Sequence, residues 1–424
     1  MSNEILMGYS HSNFQQIVGF KSNKTKKASP IPEELLTFDG RAHIITIAPT
    51  GAGKGIGTVQ PNILNYEGPL ITLDPKGEQV LTCKKAREKI GHKVVVLDPF
   101  QVTHFKSDHF NVMDIKHLSN FDADDDSFTL AHQLVGQSLT HDPFWDNHAK
   151  NLLGALINYH LTCKSPKDQH LGKIRGMLGK DLSYQCALIL EKESKISNAL
   201  RDALAGFLSL QDPKTQSSVE GTAVQAFSSL FSNRIENFLS KSTFDLRDIV
   251  DGKPVDIFIV FPPDKLKSHN RLLKLIFAVL FKAITSRTEI PSTRTLFILD
   301  ECASLERFEY LENMLALARG YGLIIHTIWQ DISQIKQHYG NGFLSILNNS
   351  LVWQFFGADK YNTAKEISDI TGIGVAEILN LKDDEQLLIM GKKVHFPAKK
   401  LNYLTDAIFA GKASPNPFYK NFQH

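Results

Sequence analysis

Two clusters of chemistry-bearing residues stand far apart in the chain and complete each other. The run Ala48–Gly55 reads A-P-T-G-A-G-K-G and directly follows the apolar stretch His43–Ile47. A strand that feeds a glycine-rich turn and then a helix leaves backbone N–H groups pointing inward, so the turn and the helix N-terminus form an anion site suited to phosphates. Thr50, Gly51, Ala52, Gly53, Lys54 and Gly55 are therefore the expected cofactor-binding residues, with Lys54 reaching the terminal phosphates. Downstream, the apolar stretch Leu296–Leu299 ends in Asp300 and Glu301. Asp300 offers a carboxylate to the shell of a magnesium ion, and Glu301 offers one to polarise an attacking water. Together the clusters predict P-loop chemistry, the hydrolysis of ATP with Mg2+.

The loop departs from the general pattern G-x-x-x-x-G-K-[ST] at two places, with Ala48 for the first glycine and Gly55 for the hydroxyl residue that ordinarily meets magnesium. The second departure matters more. A metal then has to be held through water, through Asp300, or through a nearby group such as Thr58. The bland alternative is a glycine-rich turn with no ligand, and the acids at the end of a second apolar strand weigh against it.

These residues need a scaffold that gathers separate strand ends, and the apolar pattern supplies one. In the first third, strands at 43–48, 69–73 and 93–97 alternate with helices beginning at Lys54 and Gly77. In the last third, strands at 255–261, 295–299 and 323–328 alternate with an apolar helix at 271–284 and a helix ending near Arg319. Such alternation implies a parallel sheet covered on both faces, with ligands at the carboxyl ends of the strands. Between Leu118 and Asp248 helical spacing takes over, as at Trp145, Ala149, Leu152, Leu153, Leu156 and Ile157. The expected fold class is α/β, a P-loop nucleotide-binding fold with a mainly parallel central sheet and an inserted all-α domain. Its expected parts are an N-terminal arm at 1–42, nucleotide-binding segments at 43–117 and 249–424, and the insertion at 118–248. The acidic run Asp122–Asp126 lacks the alternation and glycine of a calcium loop and reads as a helix N-cap or a solvated linker.

Bulk properties narrow the field. A chain of 424 residues suffices for two domains and a sizeable core. A net charge of +2 excludes a wholesale polycation and leaves nucleic-acid contact to local patches. Lys21, Lys24, Lys26 and Lys27 form one basic patch and Lys392, Lys393, Lys399 and Lys400 another, though neither carries interleaved aromatics for stacking bases. Cys83, Cys163, Cys186 and Cys302 form no C-x-x-C pair and fit reduced thiols of a cytosolic protein. The sixteen histidines include no H-E-x-x-H, so no catalytic transition metal is expected. Residues 1–20 carry no secretory signal, and the apolar stretch 271–284, broken by Lys274 and Lys282, is too short to cross a bilayer.

Beyond a generic P-loop, a series of runs resembles, in order and over residues 43–400, the TraG-type coupling proteins, RecA-like ATPases of type IV secretion and conjugation. The runs are APTGAGKGIGTVQPNIL, GPLITLDPKGE, VVVLDPF, LFILDECASL, ARGYGLIIHTIWQDISQIKQHYG and ILNNSLVWQFFGADKYNTAKEISDITG. The resemblance implies a motor that recruits single- or double-stranded DNA, a relaxase or effector proteins to type IV secretion components, as a homo-hexamer when active and a monomer in isolation. It implies a polar sensor of the γ-phosphate at Gln330 and makes Arg319 the candidate arginine finger for a neighbouring subunit. Competing readings are a strand-end cap for Gln330 and a helix C-terminal cation beside Gly320 for Arg319. The run Asp74-Pro75-Lys76-Gly77-Glu78 reads first as a helix start, with Asp74 as N-cap and Pro75 in the first helical position, and Asp74, at a strand's carboxyl end, reads also as an acid lining the site. Most relatives begin with membrane-spanning helices, whereas this chain reaches the strand at His43 without one, so a cytoplasmic protein is expected, its attachment at the inner membrane coming from partners or from the basic arm, or not occurring. Two rivals stand beside this reading. One is an FtsK- or HerA-like DNA pump outside secretion; the other is a nucleotide-dependent binding module with little hydrolysis, which the absent hydroxyl favours and Glu301 opposes.

Overall fold

A computed structural model describes residues 4–10, 33–136, 143–230, 232–358 and 360–419. The basic cluster Lys21, Lys24, Lys26 and Lys27 lies outside the described residues. The chain divides into two compact units, one of residues 1–94, 254–259 and 289–424, the other of 95–253 and 260–288.

The first unit is built on a sheet. Its strands are β1 (Ile5–Ser10), β2 (Leu35–Phe38), β3 (His43–Ile47), β4 (Leu70–Leu73), β5 (Lys93–Leu97), β6 (Val255–Ile259), β7 (Thr295–Asp300), β8 (Leu323–Trp329), β9 (Ser350–Phe355), β10 (Glu385–Met390) and β11 (Lys393–Lys399). The chain leaves this unit within β5, and the other ten strands run in the order β2-β1-β11-β10-β9-β3-β8-β7-β4-β6. From β9 to β6 the pairings are parallel. The remaining four, from β2 to β9, are antiparallel. Every residue of β3, β4, β6 and β8 is buried, which is what a parallel sheet covered on both faces demands. The antiparallel wing departs from the sequence expectation, since β1 and β2 come from the segment read as an arm.

A buried polar ladder fixes the register of this sheet. Thr46 on β3 donates to Gln354 Oε1 on β9 at 2.8 Å and lies 2.7 Å from His326 Nε2 on β8. Gln354 in turn donates to Gln386 on β10 at 2.7 Å, and Gln386 donates to the carbonyl of Met7 on β1, also at 2.7 Å. Burial pushes His326 down to about 3, so its ring is neutral, and with the Thr46 hydroxyl spent on Gln354 the ring's Nε2–H is the donor to Thr46. A one-residue slip of any of these strands would turn its polar group to the other face and leave the ladder broken.

At the amino ends of the strands a second buried cluster joins helix to sheet. Helix α1 (Gln60–Asn65) follows the glycine-rich loop, and helix α2 (Glu78–Lys89) follows β4. Arg87 of α2 forms a two-pronged pair with Asp256 of β6, Nε to Oδ2 at 2.7 Å and Nη2 to Oδ1 at 3.0 Å. It also donates to the carbonyls of Ile63, Tyr66 and Gly68.

The second unit is mostly helical. Asp122 accepts hydrogen bonds from the amides of Asp124 and Asp125, so the acidic run is the N-cap of the helix Ala123–Val135. The apolar helix Asn270–Thr285 belongs to this unit, packs on the helices Ala123–Val135 and Leu246–Val250, and sets Lys282 2.9 Å from Asp126. The unit is thus wider than the expected insertion at both ends. Among the described residues no helix is long and apolar enough to cross a membrane.

Candidate functional site

Because β3, β8, β7 and β4 are consecutive in the sheet, the segments leaving their carboxyl ends are neighbours. The first of these is the glycine-rich loop. Ala48 donates to the Trp329 carbonyl at 2.8 Å, and Ala52 donates to that of Pro49 at 3.0 Å, closing the turn. Gly51 and Gly53 have φ of 87° and 82°, which only glycine adopts without strain. Nothing lies within 4 Å of a Cβ built on either residue, so backbone conformation rather than crowding calls for glycine, and the cradle is open to a ligand.

After Lys54 the chain makes a π-helical turn at Gly55–Val59 before α1. The sequence predicts a plain helix here. Glycines at 53, 55 and 57 hold an α-helical turn weakly, and wider turns of this kind concentrate at functional sites.

The structure brings Lys54 to both acids of β7. Its Nζ lies 2.8 Å from Asp300 Oδ1 and 3.1 Å from Glu301 Oε2. Burial works against the Lys54 charge, but Asp300 and Glu301 outweigh it and its pKa is raised. Glu301 sits at φ 98°, ψ 55°, a strained conformation for a residue with a side chain and one that structures retain mainly at working sites. Gln330, just past β8, donates to Glu301 Oε1 at 3.1 Å and accepts from Thr50 Oγ1 at 3.5 Å.

Asp74, leaving β4, is fully buried and accepts from the amide of Val80 at 3.0 Å. Burial, reinforced by the charge of Asp300 and only partly opposed by the Val80 hydrogen bond, pushes its carboxyl up to about 7. Its expected place at the N-cap is taken by Gly77, with φ 69°, and α2 begins at Glu78. Asp74 therefore satisfies an amide of the first helical turn from outside the helix, and Pro75 is not the first helical residue.

Two further residues escape sequence reasoning. Gln79 donates to Asp300 Oδ2 and to the Leu73 carbonyl, each at 3.2 Å, and accepts from Thr72, which holds the Asp300 carboxylate in place. Lys400 donates to the carbonyls of Ala52 at 3.2 Å and Asp383 at 2.8 Å and lies over the Phe356 ring. It is a buried support of the loop, not a member of a surface patch; Lys399 pairs with Glu33, and Lys392 and Lys393 are exposed. Only tertiary folding brings these side chains to the site, and no local spacing marks them.

Arg319 is not part of this cluster. It lies exposed in the short turn Ala318–Tyr321 that precedes β8, and its carbonyl accepts from Arg294, just before β7. Burial, aided by the charges of Arg319 and Arg294, pushes His43 down to about 4. His43 opens β3 and Lys54 follows its end, so Arg319 and Lys54 occupy opposite edges of the sheet. Thr58 is fully buried within the π-turn, and its hydroxyl has no hydrogen-bond partner among the described residues.

A cation between two carboxylates at a glycine cradle, with an amide on each acid, has the donors to bind phosphates and the hard oxygens to receive a magnesium shell. The profile of the family described as Type IV secretory system Conjugative DNA transfer matches residues 12–378. The chain is 26% identical over 380 residues to the type IV secretion system-coupling protein VirD4 of Bartonella henselae, covering 86% of this chain and 59% of that protein. It is 29% identical over 362 residues to the conjugal transfer protein TraG of Agrobacterium fabrum, covering 81% of this chain and 53% of that protein. The chain thus spans little more than half the length of these relatives. The structure of the plasmid coupling protein TrwB in complex with ADP and Mg2+ matches with a TM-score of 0.62 at 17% identity, over 86% of this chain and 85% of that one. VirB4 of Thermoanaerobacter pseudethanolicus matches with a TM-score of 0.59 at 12% identity, over 93% and 96%. These likenesses concern the fold, a RecA-like α/β fold.

Proposed function

This chain belongs to the type IV secretory system conjugative DNA transfer family, and on that premise we propose that it is an ATP-dependent coupling protein that recruits DNA, or protein linked to it, toward a transfer channel. The observation that carries the reading is the convergence of Lys54, Asp300, Glu301 and Gln330 at an open glycine cradle. The amides of Thr50–Gly55 and the Lys54 ammonium bind the nucleotide phosphates. Lys54 exchanges its carboxylate partners for phosphate oxygens, and this releases Glu301 to orient a water. Gln330 keeps the other oxygen of Glu301 fixed, and Gln79 does the same for Asp300. Magnesium, when bound, neutralises phosphate charge, with Asp300 as the carboxylate placed to receive its shell.

The exposed cations Lys192, Lys195 and Arg201 of the helical unit form a recognition surface for cargo, apart from the nucleotide residues. Attachment at the inner membrane comes through secretion partners. The relatives' names point to secretion and conjugation, which favours this reading over a free-standing DNA pump. ATP hydrolysis measured across protein concentration, with and without single- and double-stranded DNA, tests the proposal. DNA stimulation and turnover that rises with assembly are expected. Nucleotide binding without any turnover would make the protein a nucleotide-dependent docking module instead.

A further inference from the structure

The P-loop hydroxyl is missing at Gly55, and another side-chain oxygen comes close to the space it leaves. A Cβ built on Gly55 lies 3.0 Å from Gln60 Oε1. In the general pattern the hydroxyl oxygen sits one bond beyond that Cβ, so the amide oxygen of Gln60, at contact distance from the Cβ, stands next to the space the hydroxyl would take. The π-turn explains how a residue five positions on arrives there. The amide of Gln60 donates to the carbonyl of Gly55, so residue 60 closes the turn over residue 55; an α-turn would bring Val59 instead.

The orientation of the side chain is fixed as well. Gln60 Nε2 donates to Glu78 Oε1 at 3.0 Å, and the same oxygen receives Asn416 at 2.7 Å. Gln60 Oε1 is thereby turned toward Gly55. Gln60 is 1% exposed, and its Oε1 has no hydrogen-bond partner among the described residues. A buried acceptor left without a donor is costly, so this oxygen calls for a partner that arrives with the ligand.

We infer that Gln60 replaces the absent P-loop hydroxyl, its side-chain carbonyl oxygen receiving the water shell of the magnesium that accompanies a bound nucleotide. The inference rests on the magnesium-nucleotide reading of the site. A carbonyl oxygen accepts without donating, which suits water held by a small hard cation that gives up its shell reluctantly. Gly55 and Gln60 form a matched pair, because the glycine makes room for the amide and the amide supplies what the glycine lacks.

Calorimetric titration with ADP, in chelator and then in magnesium chloride, tests this on the whole chain without reference to turnover. Wild type should bind ADP in chelator and more tightly with magnesium. In Gln60→Ala the tightening should shrink by roughly tenfold or more, as for other groups behind a metal's direct ligands, while affinity in chelator stays near that of wild type. Gly55→Ser added to Gln60→Ala should restore the tightening, since the serine hydroxyl then has the space. Full magnesium-dependent tightening in Gln60→Ala overturns the inference and leaves the nucleotide site standing. Loss of ADP binding in chelator for Gln60→Ala, unrescued by Gly55→Ser, makes Gln60 a packing residue and also overturns it. No ADP binding by wild type overturns the reading of the site, and the inference with it.

Discussion

Glu301 is held three ways at once, by Lys54 on one oxygen, by Gln330 on the other, and by a backbone conformation that costs energy. The Gln330 bond and the backbone conformation, which remain when Lys54 turns to phosphate, have a purpose if the carboxylate must orient a water, and none if it only balances Lys54, for which Asp300 already suffices. Glu301→Gln should therefore keep ATP affinity and lower turnover by about a hundredfold or more, as a steady-state assay beside a binding titration would measure. A fall in affinity of equal size would assign Glu301 to binding instead. Asp74 carries a different signature. Its carboxyl, raised to about 7, holds a proton in the folded chain that the unfolded chain releases near pH 4. Its contribution to stability is complete below about pH 4 and is lost as pH rises through about 7. Asp74→Asn keeps an acceptor for the Val80 amide without the charge, so it should melt higher than wild type at pH 8, by on the order of a few kcal/mol, and match it near pH 4. Urea melts at the two pH values check this; parallel pH dependence in both proteins would remove Asp74 from the account.

At the scale of the elements, stability rests on joints that no sequence window displays. Arg87 and Asp256 are fully buried, and their pair ties α2 to β6, while Asp256 also accepts from the amide of Leu70 at the start of β4. His92 adds a contact to the same carboxylate at 2.9 Å. Removing the guanidinium leaves the Asp256 charge buried without its main partner, so Arg87→Ala should cost about 3–5 kcal/mol in a urea melt, and Asp256→Asn added to it should recover part of the loss. The parallel strands β3, β4, β7 and β8 were legible because each is a continuous apolar run ending in a motif. The wing strands β1 and β2 were not, because β1 is a short stretch carrying a glycine at 8, and the long polar segment between the two reads as an arm. The same limit applies to the site. Lys54, Asp300 and Glu301 announce themselves by their motifs at strand ends and Gln330 only through the family resemblance, whereas Gln60, Gln79 and Lys400 enter through a wider turn, a helix face and the distant end of the chain.

For the whole molecule the decisive geometry is that Arg319 stands at the amino edge of the sheet and the nucleotide cluster at the carboxyl edge. The strand β3 between them has five residues, at about 3.3 Å each, and no rotamer of an arginine spans that length around a packed sheet. If Arg319 stabilises phosphoryl transfer, it does so in another copy of the chain. The exposure of Leu317 at 65%, at the end of the helix Glu309–Leu317 that runs into the turn of the exposed Arg319, leaves this edge available to such a copy. Arg319→Ala alone should lower turnover by about a thousandfold while ATP binding persists, the magnitude of a lost arginine finger. Lys54→Ala alone should also abolish turnover, for lack of bound nucleotide. The two inactive proteins differ in what each retains, an intact cradle in one and an intact arginine in the other. Mixed together, they should regain part of the wild-type rate, because an Arg319→Ala subunit can then take its arginine from a Lys54→Ala neighbour. Recovery should rise with total protein concentration and follow the mixing ratio, as a coupled ATPase assay would record. A mixture as inactive as its parts, or a single Arg319→Ala variant with wild-type turnover, would make Arg319 a surface cation of the turn and leave each site to work without its neighbour.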